Sequence, residues 1–223
     1  MSDTPLHIQT FALGQWQTNC YVLSVGGSCW MIDAGFDPEP MLDAIDEQGL
    51  KVERVVLTHA HLDHIGGLHV VRHRHPEVPI LVHADEEGFL TDTRLNLSAA
   101  MIDPVVAPEA TGLLHHGEAL ELNGMRFEVR HTPGHSPGGI SLIQHEHDLA
   151  IVGDTLFAGS IGRFDFPTSD GPRLMQSINE QLMTLPDQTK VLPGHGPGTT
   201  IGQERLTNPY LNQPTGTPDG LVG

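Results

Sequence analysis

Directly after Val52 to Thr58, an apolar stretch of strand length, the chain reads His59-Ala60-His61-Leu62-Asp63-His64, and a helical pattern starts at about Asp63. This run constrains the fold more than any other feature. Side chains two apart in an extended segment face the same way, so His59 and His61 share a direction, whereas Asp63 and His64 stand where the helix begins and turn elsewhere. One short loop can then serve two metal positions. A cap-and-solvent reading, with Asp63 as a helix N-cap and the histidines in water, suits a lone residue but not four ligand types in six positions. Such a turn belongs at the carboxyl end of a strand in an α/β sheet, where these folds build their sites. Gly66-Gly67 behind it lets the backbone pack closely.

Further donors stand in equivalent places. His135 in Thr132-Pro133-Gly134-His135-Ser136, Asp154 in Val152-Gly153-Asp154 and His195 in Leu192-Pro193-Gly194-His195-Gly196 each follow an expected strand. Histidine, at 15 residues, outnumbers the 11 lysines and arginines, which points to metal. The 28 acidic residues give a net charge of −17, which disfavours nucleic acid as a partner. No apolar run approaches the ~18 residues of a spanning helix, and Met1 to Asp3 has no secretory layout, so a cytoplasmic protein with no membrane partner is expected. A Gly26-Gly27 hairpin sets Cys29 opposite Ser24 and Cys20 opposite Asp33, so no disulfide is expected.

The remaining patterning predicts strands at His7 to Leu13, Asn19 to Val25, Ser28 to Asp33, Pro79 to His83, Glu118 to Leu122, Met125 to His131, Gly139 to Gln144, Asp148 to Gly153 and Lys190 to Leu192. Helices are expected from Pro38 to Gly49, Asp63 to His75, Ala84 to Thr91, and around Leu174, Ile178, Leu182 and Leu185, with Asp170 as cap and Pro172 in the first position. Residues 84–117 are otherwise illegible. Two halves, each a meander closed by a helix, predict an α/β fold with two sheets packed face to face and helices outside. Residues 1–211 are read as a single domain and 212–223, rich in Pro, Gly and Thr, as a mobile tail. His73, His75, His115, His116, His145 and His147 are read as surface residues.

With these motifs in place, the sequence closely resembles the metallo-β-lactamase superfamily over nearly all of residues 7–211. The resemblance implies its αββα sandwich of two mixed β-sheets. It also implies His59, His61 and His135 as ligands of one metal, Asp63, His64 and His195 of another, and Asp154 as the bridge. Within the superfamily, Gly153-Asp154-Thr155-Leu156-Phe157, Gly159-Ser160-Ile161-Gly162-Arg163 and the ending from Pro193 to Leu211 are similar to glyoxalase II-like hydrolases, without the C-terminal helical domain of the full-length enzyme. The implied substrate is a small-molecule thioester of the S-(2-hydroxyacyl)glutathione kind, held in an open pocket whose acyl walls are expected from residues 84–117. Two divalent ions, zinc first and iron or manganese as alternatives, can acidify a shared water towards a pKa of ~7. Asp63 and Asp154 are the expected catalytic carboxylates. Asp33 is placed to fix the tautomer of a ligand histidine, against an even alternative as a turn residue. Arg163 is expected to contact a substrate carboxylate, against an ion pair with Asp165. Competing readings keep the same loop: a lactone or ester hydrolase, or a mononuclear iron oxidoreductase resembling persulfide dioxygenases. The sequence leaves the oligomeric state open.

Overall fold

Strands β1 (His7–Leu13), β2 (Thr18–Val25) and β3 (Ser28–Ile32) form the expected antiparallel meander, with Ser24 paired to Cys29 across the Gly26-Gly27 turn. Both cysteines are buried and unpaired. The computed structural model describes residues 5–212, so the expected tail from 212 to 223 lies outside the described residues apart from Asn212.

Helix α1 (Glu39–Glu47) buries Met41, Leu42 and Ile45 on one face, and β4 (Lys51–Val56) returns parallel to β3. The helix expected from Asp63 to His75 is broken into α2 (Leu62–Ile65) and α3 (Leu68–Arg74). At the break the Gly67 N–H leaves the helical ladder for the Ala34 carbonyl, and only glycine fits there, since a Cβ on Gly67 would sit 2.2 Å from the Gly35 carbonyl oxygen. That close approach lets Gly67 N–H donate to Ala34 and Ala34 N–H donate to His64, stitching the histidine loop to the end of β3. Strand β5 (Ile80–His83), a 3₁₀ turn over Ala84–Leu90 and β6 (Gly112–Leu114) complete a six-stranded sheet in the order β1 to β6. β6 lies in residues 84–117, where no period is legible.

The second sheet contains β7 (Ala119–Leu122), β8 (Met125–His131), β9 (Ile140–Gln144) and β10 (Leu149–Gly153). A short ribbon, β11 (Leu156–Phe157) with β12 (Ser160–Ile161), precedes α4 (Gly171–Ser177), which runs on as a π-helical turn over Ile178–Leu182. Asp170 caps α4 through the Arg173 N–H, with Gly171 first and Pro172 second in the helix. Strands β13 (Lys190–Pro193) and β14 (Thr199–Thr200) and helix α5 (Ile201–Thr207) finish the fold, the last two being absent from the sequence reading.

Alternation along the strands sets the layers. Tyr21, Leu23, Val25, Trp30 and Ile32 face the second sheet and meet Leu122, Phe127, Val129 and Ile151, with the Trp30 and Phe127 rings 5.2 Å apart. The intervening Val22, Cys29 and Met31 face the other way, against Met41, Leu42, Leu68 and Val71 from the helices. On the far side, Ile143, Val152 and Val191 pack on Leu174, Ile178, Leu182 and Ile201. Two mixed sheets between outer helices make the αββα sandwich.

Candidate metal centre

The carboxyl ends of β4, β8, β10 and β13 open on one rim of the sandwich, and the loops leaving them carry His59 to His64, His135, Asp154 and His195. The donor atoms of His59, His61 and His135 lie within 4.8 Å of one another, as do those of Asp63, His64 and His195. A third set, His59, His64 and Asp154, joins the two. An ion on an imidazole sits in the plane of the ring, and the planes of His59, His61 and His135 stand 77–88° apart. Three such planes meet at a point. Asp154 Oδ2 is 3.5 Å from His135 Nε2 and 3.6 Å from His195 Nε2, which puts it between the groups.

Hydrogen bonds on the far nitrogens aim two of these rings, those of His135 and His64. His135 Nδ1 donates to the Arg163 carbonyl at 2.8 Å, which leaves Nε2 a bare lone pair. That lone pair accepts a hydrogen bond from His61 Nδ1 at 2.9 Å, a contact that a cation held by both nitrogens would replace. Asp33 accepts from Thr58 N–H, from Thr58 Oγ1 and from His64 Nδ1, each at 2.7–2.8 Å, so His64 presents Nε2 to Asp63 and Asp154. Asp33 does this from a left-handed backbone, φ 60°, a conformation retained where surroundings over-determine it. His59 Nε2, His64 Nε2 and Asp154 Oδ1 are buried with no hydrogen-bond partner, the condition of donors shaped for a cation. The Cβ of any other residue at Gly194 would fall 2.1 Å from Asp154 Oδ1, so only glycine admits the carboxylate here. The donor set fits a dinuclear metal site.

Charge divides the site. Burial and then the neighbouring histidines hold His59 well below the ordinary value, and burial with His135 pushes His61 down to about 3. Burial also lowers His135. Burial opposes a raised value at His64, but Asp63, Asp33 and Asp154 outweigh it and hold it well above the ordinary range. His195 is raised likewise, against burial, by Asp63 and Asp154. One donor set is neutral imidazole; the other is balanced by carboxylates.

These side chains floor a cavity of about 410 Å³ walled by Trp16, Leu62, Leu97, Phe157 and Phe166. Of the stretch 84–117, only Leu97 reaches it. Arg163 also lines the cavity, but its guanidinium forms a two-pronged ion pair with Asp165, at 2.8 and 2.9 Å, and lies 4.3 Å from the Phe166 ring centre. Elsewhere on the rim, His83, Asp85 and His131 also gather, yet the two rings are stacked 3.9 Å apart at 16°. Parallel planes share no point for an ion. Among the expected surface histidines, His75 is half-buried and the others are exposed.

The sequence profile of the metallo-β-lactamase superfamily matches residues 13–195. The chain belongs to that superfamily. Among its members, the probable metallo-hydrolase YqgX of Bacillus subtilis is 39% identical over 90% of this chain and 95% of its own length. Hydroxyacylglutathione hydrolase GloC of Haemophilus influenzae is 36% identical over 93% and 99%. Of solved structures, the B3 metallo-β-lactamase BLEG-1 superposes with a TM-score of 0.88 at 37% identity, covering 93% of this chain and all of that one. TTHA1623 in a di-iron-bound form superposes at 0.81 with 36% identity, covering 91% and 100%. As a superfamily member with this donor set, the chain is a metal-dependent hydrolase. Among its described residues no helix is long and apolar enough to cross a membrane.

Several residues around the superfamily site carry no sequence signal. Thr18 Oγ1 donates to Asp63 at 3.0 Å, while Asn19 and Tyr21 donate to the Pro193 carbonyl at 3.0 and 2.7 Å and so hold the His195 loop. Glu86, fully buried, accepts from Ala60 and Gly138.

Proposed function

We propose that this chain hydrolyses thioesters of the S-(2-hydroxyacyl)glutathione type at a dinuclear centre, with zinc as its metal and iron or manganese tolerated by the same mixed donors. The observation that carries the reading is the convergence of two donor sets on Asp154 at the floor of an apolar-walled cavity. His59, His61 and His135 would hold one ion, Asp63, His64 and His195 the other, and Asp154 would stand between them. Bound there, two divalent cations supply a water acidified to near neutrality and a Lewis acid for a carbonyl oxygen.

The chain's own groups do the rest. Asp63, anchored by Thr18, orients the attacking water. Trp16, Leu97, Phe157 and Phe166 receive the acyl group and exclude bulk water. Arg163 offers its charge to a substrate carboxylate once it leaves Asp165. The name of the Haemophilus influenzae relative supports this substrate class, and the unpaired Cys20 and Cys29 support a cytoplasmic setting.

A panel of S-(2-hydroxyacyl)glutathiones, lactones, simple esters and β-lactams, run with elemental analysis, tests the proposal. Two ions per chain and the highest kcat/KM on the thioester are expected; turnover confined to another class sinks it. Oxygen uptake with glutathione persulfide, together with a single iron, would instead establish the dioxygenase reading, which leaves Asp63, His64 and His195 without a common task.

A further inference from the structure

Glu86 is the middle of three consecutive acids, Asp85-Glu86-Glu87, on the 3₁₀ turn after β5, and it alone is fully buried. Its Oε2 accepts the Ala60 N–H at 2.5 Å and its Oε1 accepts the Gly138 N–H at 2.8 Å. Ala60 lies between His59 and His61, in the loop leaving the first sheet. Gly138 closes the loop that carries His135, between β8 and β9 of the second sheet. The fit is close, since a Cβ on Gly138 would lie 2.8 Å from Glu86 Cγ. One carboxylate therefore ties together, through two backbone N–H groups, the loops that supply all three histidines of the neutral donor set.

We propose that Glu86 is a positioning residue for the metal centre: a cross-sheet clamp that fixes His59 and His61 against His135 and so sets the affinity of that one ion position. The inference rests on the dinuclear reading above. Only an acceptor on both prongs fills this role. A glutamine of the same shape turns an NH₂ towards one of the two N–H donors, which opens one arm and leaves a buried donor unsatisfied. The two arms span the contact of His61 Nδ1 with His135 Nε2, 2.9 Å. Asp63, His64 and His195 receive no bond from Glu86; they are held by Thr18, Asp33 and Tyr21 instead. Loss of the clamp is thus selective.

The test is competition between the zinc-loaded holoenzyme and a chelator of graded concentration, with retained zinc counted per chain. Glu86→Gln is expected to release one of two ions at about 10- to 100-fold lower chelator than the wild type, the second ion following the wild-type curve. Gly138→Ala keeps the carboxylate but pushes against its stem, and it should show the same single early release, which serves where Glu86→Gln folds poorly. A purely structural part for Glu86 would loosen both ions together. Joint release, or wild-type curves for both variants, overturns the clamp while leaving a two-ion wild type intact. A wild type holding fewer than two ions overturns the dinuclear reading and the clamp with it.

Discussion

Two histidine groups on the same rim of the sandwich have similar closeness and opposite aim. At the centre, the rings of His59, His61 and His135 lie 4.7–4.9 Å apart with planes near perpendicular. Beside it, His83 and His131 lie 3.9 Å apart and parallel. Proximity is therefore no measure of a metal site. The deciding difference is what occupies the other ring nitrogen: His135 Nδ1 is spent on a backbone carbonyl and its Nε2 points inward, whereas His131 spends Nε2 on the Pro137 carbonyl and His83 accepts the Asp85 N–H.

The sharpest way to break this comparison is to substitute one ring in each group. His61→Phe should lose metal and lower kcat by about 10²- to 10³-fold, and Asp154→Ala should do the same, whereas His83→Phe, which keeps a stacked ring, should retain both ions and wild-type kcat. Metal loss in His83→Phe, measured by elemental analysis, would put an ion where parallel planes forbid one.

A smaller effect is expected one bond further out. Asp33→Asn preserves a residue that tolerates the left-handed backbone but replaces an acceptor oxygen by a donor, so zinc affinity should fall by about 10- to 100-fold, read by chelator competition. Unchanged affinity would mean that the bond to His64 Nδ1 does not aim the ring.

Smaller again are changes at the exposed rim. Arg163→Ala should raise KM by about 3- to 10-fold with kcat nearly unchanged, since it removes a solvent-screened contact that acts on binding. Asp165→Asn should lower KM for anionic thioesters by freeing the guanidinium. Steady-state kinetics that showed a kcat loss in Arg163→Ala as large as in Asp154→Ala, with metal retained, would reverse the two roles.

The least effect concerns acid. Burial first, and then the adjacent His131, pushes His83 down to about 4 from an ordinary 6.5. The unfolded chain therefore takes up this proton first, and stability is lost as pH falls from about 6.5 towards 4. His83→Phe should lose less stability than the wild type between pH 7 and 5 in denaturant titrations. Equal losses would show that the stacked pair does not resist protonation.

How much of this was legible depended on the kind of signal. His59 to His64 could be read because a strand period gives way to a helix at a run of donors, and His135, Asp154 and His195 because each ends a strand pattern. The paired Gly66-Gly67 could be read as a place of close packing, but the sequence predicts a helix that runs through them, because the Ala34 carbonyl that draws off the Gly67 N–H lies on a different element. β6 and β14, three and two residues long, are too short to display a period. Glu86 was hidden most thoroughly. Within Asp85-Glu86-Glu87 it looks like part of a solvated acidic turn, and only the docking of two loops from different sheets turns it inward. Tyr21 faces inward by strand alternation, but the reach of its hydroxyl to Pro193 likewise depends on how the sheets meet.

The division of donors between the sheets has a consequence for the order of folding. His59 and His61 leave the first sheet and His135 the second, so the neutral three-histidine set does not exist until the apolar interlayer of Trp30, Ile32, Phe127 and Val129 has closed. If sheet docking at that interlayer precedes the completed site, an ion held there acts as a lock on finished structure rather than a template for it. An interaction formed after the transition state acts on the escape rate alone. Chelation should accordingly hasten unfolding while leaving the refolding rate where it was.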